Sequence, residues 1–216
     1  MDINSQNNND KTLLEKVIQM KKVNKYFCHI QLNEDTDNLN ERTWTMNLQN
    51  NNIEWKHIYI IPYLSTSDIS LQNFQYKIIM GILPTNSLLV KYKIKNDSVC
   101  DFCNNTEETI CHLFWGCPIV QTLWKNLTQF LRTNQINLQI TMTKVILGCT
   151  NEAHQNTKNF LLILMKRFIY LMKLKKRFPS FQIFLNYMKE KVEVEQLISL
   201  SKNRFGTHLD TLKQLI

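Results

Sequence analysis

The chain has 216 residues, 44% of them hydrophobic and 20% charged, which is enough to bury a core as one large domain or two small ones and is ordinary for a water-soluble fold. Four glycines and four prolines in the whole chain are too few turn-formers for a strand-rich protein, so the expected class is mainly α-helical. Residues 1–90 carry 8 Lys and Arg against 9 Asp and Glu, whereas residues 91–216 carry 18 against 9. That asymmetry points to a polyanion partner for the second half, with a plain solubility bias as the alternative.

The opening residues, MDINSQNNND, are polar. They are expected to form a disordered tail and cannot supply the apolar core of a secretory signal. From Lys11 to Tyr26, Leu13, Leu14, Val17, Ile18 and Val23 fit a short amphipathic helix. Residues 33–41, NEDTDNLNE, read as a solvated loop, in which Glu34, Asp35 and Asp37 lack anything to hold them rigidly around a metal. Trp55, Ile58, Tyr59, Ile60 and Ile61 suggest a buried element ending at Pro62.

Ser67 or Asp68 can then cap a helix running to about Met80, with Ile69, Phe74, Ile78 and Ile79 as its apolar contacts and Gly81 as its stop. Pro84 and Asn86 mark a turn, after which a short helix can start near Thr85. Pro118 is well placed as the first residue of another helix. Val120, Leu123, Trp124, Leu127, Phe130 and Leu131 form its apolar face as far as Arg132.

Residues 158–177 contain seven basic residues and no acidic ones. On a helical wheel, Phe160, Leu161, Leu164, Met165, Phe168, Leu171 and Met172 share one arc, and Lys166, Lys173 and Arg177 fall opposite it. Pro179 ends that helix, and Ser180 can cap the next, which runs to about Ser201. The expected organisation is a tail over 1–10, a helical region over 11–97, a cysteine-rich segment with its following helix over 98–132, and a basic helical region over 133–216. The most apolar stretch, Phe160–Met165, is interrupted at once by Lys166 and Arg167, far short of the roughly 20 residues of a membrane span. A cytosolic or nuclear location is therefore expected, with no membrane partner. Thiols stay reduced there, and clustered cysteines suggest a metal before disulfides.

The cysteines that matter are spaced Cys100-x2-Cys103-x8-His112-x4-Cys117. A Cys-x2-Cys turn places two thiolates on one side, about 2.3 Å from a shared zinc ion, and a histidine with a cysteine just past its helical turn completes a tetrahedron. A closed set of three sulfurs and one imidazole leaves no open position, so the expected role is one structural zinc. Cys111 stands beside His112 and competes with it. Neighbouring residues on a helix point about 100° apart, so only one can face the metal; His112 is preferred, with Cys111 as a small buried residue. Cys28 and Cys149 are isolated and suit core packing.

The segment SVCDFCNNTEETICHLFWGCPIVQTLW, from Ser98 to Trp124, resembles the reverse-transcriptase zinc-binding domain, which lies near the end of the polymerase polyprotein of LINE-type non-LTR retrotransposons. The shared features are the four ligand positions, Glu108-Thr109, His112-Leu113-Phe114, Cys117-Pro118 and Trp124. Upstream, Phe74-Gln75-Tyr76 and Ile82-Leu83-Pro84-Thr85-Asn86 are similar to that family. So, downstream, are the basic helix, Pro179-Ser180 and Glu193–Glu195, for a span of roughly residues 44–200. The resemblance implies a C-terminal piece of a retrotransposon protein that associates with element RNA or target DNA.

No Asp-Asp pair of the kind a polymerase needs occurs, and His29, His57, His154 and His208 are scattered without partners of recognisable spacing, so catalysis is not expected. The first expectation is therefore a zinc-stabilised module for RNA or single-stranded DNA, with Lys166, Arg167, Lys173, Lys175, Lys176 and Arg177 as phosphate contacts. Phe102, Phe114 or Trp115 would be available for base stacking, or for core packing around the metal. The second is a structural or protein-interaction piece that packs on polymerase domains.

Overall fold

A computed structural model describes residues 35–49, 53–201 and 211, and among them it contains helices and no strand. The expected mainly helical class is what the structure shows. The tail, the helix expected over 11–26, Cys28 and the segment from Asn203 onward lie outside the described residues, Thr211 apart. The chain divides into two compact units, 1–49 and 50–216. The first contributes α1, Asp35–Leu48, in which the Thr45 hydroxyl returns a 2.8 Å hydrogen bond to the Glu41 carbonyl. This corrects the solvated loop or linker expected over 33–41 for residues 35–41, which are helical; residues 33 and 34 lie outside the described residues.

In the second unit, α2 is Trp55–Ser65, α3 Ile69–Ile79, α4 Asn86–Lys91, α5 Pro118–Thr133, α6 Met142–Leu147, α7 Gln155–Leu174 and α8 Phe181–Ser201. Local chemistry explains most of the boundaries. The Asp68 carboxylate accepts from Ser70 N at 2.7 Å, the Thr85 hydroxyl accepts from Leu88 N at 3.4 Å, and Pro118 occupies the first turn of α5. Gly81, at φ +67°, takes the left-handed conformation just past α3.

Two expectations fail here. Pro62 lies inside α2 rather than at its end. It costs a hydrogen bond, but Ile58, Ile61, Pro62 and Ser65 together form the buried face, and that burial outweighs the defect. Ile69 is mostly exposed, because the apolar face of α3 is set by Leu71, Phe74, Ile78 and Ile79.

The centre of the unit is α7, which packs against α2, α3 and α8 and is buried around nearly its whole circumference. This overturns the phosphate-contacting face expected for Lys166 and Lys173, which are 1% and 6% exposed. A wheel assumes that one side of a helix meets water; a helix enclosed by neighbours has no such side. The Lys166 ammonium instead donates to Gln75 Oε1 at 2.5 Å and lies 3.5 Å from the Ile146 carbonyl. Helix α6, for which the sequence held no clear signal, supplies that carbonyl.

The last helix is fastened to the residues just before α3. Glu195 of α8, 1% exposed, accepts from the Thr66 hydroxyl at 2.5 Å and from the Ser67 backbone N–H, while Lys191 approaches Asp68 at 3.7 Å.

Candidate metal centre

The first two cysteines sit on a tight knuckle. Cys100 N donates to Thr106 O at 2.9 Å and Glu108 N to Ser98 O at 2.8 Å, with an antiparallel bridge between Val99 and Glu107. Asn104 takes the left-handed conformation, φ +50°, that lets the chain reverse after Cys103. The second pair sits on a widened turn. Residues His112–Gly116 are π-helical, and Cys117 N donates back to His112 O at 2.8 Å. In an α-helix, residues five apart point about 140° from each other. The wider π-turn brings His112 and Cys117 towards a common side. The Thr109 hydroxyl accepts from His112 N at 3.1 Å and fixes the start of this turn.

Opening the turn leaves carbonyls that α5 satisfies. Trp124 Nε1 donates to Phe114 O and Gln121 Nε2 to Trp115 O, both at 2.6 Å. The apolar side chains of the loop are mostly core: Phe102, Leu113 and Phe114 are buried, and Phe114 meets the Phe74 ring edge-on at 6.2 Å between centroids. Core packing thus accounts for Phe102 and Phe114, and only Trp115 keeps part of its surface accessible.

The donor atoms of Cys100, Cys103, His112 and Cys117 all lie within 4.8 Å of one another. Cys100 Sγ and Cys117 Sγ are 4.0 Å apart, and Cys103 Sγ is 3.3 Å from His112 Nε2. Around a tetrahedral zinc with bonds of about 2.3 Å to sulfur and about 2.0 Å to nitrogen, such edges would be about 3.8 and 3.6 Å. The residues present therefore fit that ion. Cys111 is half-buried and stands outside the cluster, with its thiol pushed up by burial. The hydrogen bond from the Cys100 thiol lowers Cys117, while the same contact and burial raise Cys100. A bound cation would take the place of thiol protons.

A buried polar network that sequence reasoning missed backs the knuckle. Glu108, 0% exposed, pairs with the Lys173 ammonium at 3.0 Å and accepts from Asn86 N at 2.9 Å and Asp101 N at 3.4 Å. Asn86 donates its amide to Val99 O at 2.7 Å and accepts from Lys173 at 3.2 Å. Burial alone would raise the Asp101 carboxyl, but hydrogen bonds from Lys95 and Asn86 and the charge of Lys173 hold it below its usual value. In the sequence Glu108 stands out only within the Glu108-Thr109 pair, and nothing local marks it as the partner of Lys173, 65 residues further on.

Of the six expected phosphate contacts, Lys166 and Lys173 are inside. Arg167 is half-buried with its guanidinium 5.2 Å from the centroid of Phe74. Lys175, Lys176 and Arg177 remain exposed after the end of α7, followed by Phe178 at 64% exposure.

The class defined by this fold and site is a helical domain that carries a Cys3His cluster able to hold a metal ion. The model of the family described as zinc-binding in reverse transcriptase matches residues 40–124, a segment that contains all four donors and closes on Trp124, and the match supports a reverse-transcriptase zinc-binding domain there. No curated protein matches the chain. Among the described residues no helix is long and apolar enough to cross a membrane.

Proposed function

We propose that the chain is a zinc-stabilised, nucleic-acid-associated module derived from the C-terminal part of a non-LTR retrotransposon reverse transcriptase, with no catalysis of its own. The observation that carries the reading is the convergence of Cys100, Cys103, His112 and Cys117. Four protein donors fill a tetrahedral zinc, so the ion would cross-link the loop and offer no position to a substrate. Polyanion association is supported by Lys175, Lys176 and Arg177, which are exposed and have no acidic partner among the described residues.

The test is a titration of the zinc-loaded chain with single-stranded RNA at several salt concentrations. Each phosphate neutralised on a single strand contributes about −0.7 to the slope of log affinity on log salt. Replacing Lys175, Lys176 and Arg177 by alanine is expected to weaken binding and flatten the slope by about 2. Binding indifferent to salt would dispose of the nucleic-acid reading. A second reading, a structural piece that packs on polymerase domains, draws support from Ile60, Tyr63 and Leu64, an exposed apolar stripe along α2.

A further inference from the structure

We infer that Glu108 is the positioning residue that ties the metal knuckle to the C-terminal helices, with Lys173 as its counter-charge. Its two carboxylate oxygens face different elements. Oε2 takes the Asp101 N–H, one residue beyond the ligand Cys100, while Oε1 takes the Asn86 N–H at the start of α4 and the Lys173 ammonium in the last turn of α7. Its own backbone joins the same elements, the N–H donating to Ser98 O and the carbonyl accepting from Ser87 N. Lys173 adds contacts to Asn86 Oδ1 at 3.2 Å and Asp101 at 3.7 Å. One buried carboxylate therefore fastens the knuckle to α4 and to the end of α7, two residues before the exposed turn Lys175–Phe178.

The arrangement assigns Lys173 a different task from its neighbours. It is spent inside the protein, and by being fixed there it sets where Lys175, Lys176 and Arg177 leave the core. A buried ion pair of this kind is poor evidence for net stability but good evidence for a fixed register, because removing one partner leaves the other charge unmatched. Zinc occupancy and order of the α7–α8 turn are then linked through Glu108. The inference rests on the metal reading above and is independent of nucleic-acid binding.

The experiment uses the full chain as wild type, E108Q, K173M and the double variant E108Q/K173M. Zinc affinity is read by competition with a chromophoric chelator, and backbone amide exchange is followed over residues 174–178. E108Q is expected to lose at least about tenfold in zinc affinity, as supporting contacts behind metal ligands do, while the cobalt-substituted protein keeps the spectrum of three thiolates and one imidazole. Stripping zinc from the wild type is expected to speed exchange over 174–178, and E108Q should show that faster exchange even when metal-loaded. Because Glu108 acts through Lys173, the double variant should lose less affinity than the two single losses combined. This comparison also serves if a single variant, left with an unmatched buried charge, folds poorly. Wild-type affinity and wild-type protection in E108Q, or additive losses in the double variant, would overturn the proposal. A wild-type chain that binds no metal would overturn both this inference and the zinc reading beneath it.

Discussion

A lysine buried in an enclosed helix must find a partner or give up its proton. Lys173 found Glu108; Lys166 found only the neutral Gln75 amide and, at the limit of reach, a backbone carbonyl. Burial pushes the Lys166 ammonium down to about 7, with nearby Cys149 acting weakly the other way. The unfolded chain, whose lysine keeps its ordinary value near 10.5, binds more protons than the folded one between about pH 7 and 10.5. Stability from this group should therefore rise with pH across that window, by up to about 1.4 kcal/mol per pH unit. Denaturant unfolding at saturating zinc from pH 7 to 10 measures it, and K166M is expected to flatten the rise. An unchanged pH profile in K166M would mean that folded Lys166 stays charged throughout, as it is in the unfolded chain.

The π-turn and α5 belong together, since the turn that aligns His112 with Cys117 frees carbonyls that α5 must occupy. W124F keeps most of the ring but leaves the buried Phe114 carbonyl without its donor, which is expected to cost about 1–3 kcal/mol. Its cobalt spectrum should still report three thiolates and one imidazole, because no ligand is touched; a changed ligand set would show that Trp124 shapes the metal site directly. Much at this level was legible in the sequence, because the signals were local. Asp68 and Thr85 each mark a helix start by the hydrogen bond a short polar side chain offers, Pro118 needs no N–H in a first turn, and Val120, Leu123, Trp124, Leu127 and Leu131 repeat at helical spacing. The donor cluster was legible for the same reason, its spacing being a local property of two turns. What escaped depended on distant partners. Pro62 sits inside α2 because the face it shares is covered, and Lys166 and Lys173 were misplaced because nothing in residues 158–177 reveals that other helices enclose them.

Those distant partners decide how much chain the metal centre needs. The family match ends at Trp124, yet the core beneath the matched segment is largely supplied from beyond it. Helix α7 packs on α2 and α3, Tyr170 donates to Pro84 O at 3.1 Å, Lys173 answers Glu108, and Glu195 of α8 receives Thr66 and Ser67 just before α3. Cut at residue 124, the chain would expose Phe74, Ile78 and Ile79 to water and leave Glu108 buried against no cation. A zinc knuckle can order its own twenty residues, since its binding energy of about 10–16 kcal/mol becomes folding energy locally, but it cannot replace a missing layer of helices. A fragment of residues 40–124 is therefore expected to bind one zinc and still melt without a cooperative transition, whereas the full chain is expected to show one. Calorimetry on both, each with and without chelator, makes the comparison. Cooperative unfolding of the fragment at the temperature of the full chain would show that α7 and α8 are appendages and that the metal centre stands on the matched segment alone.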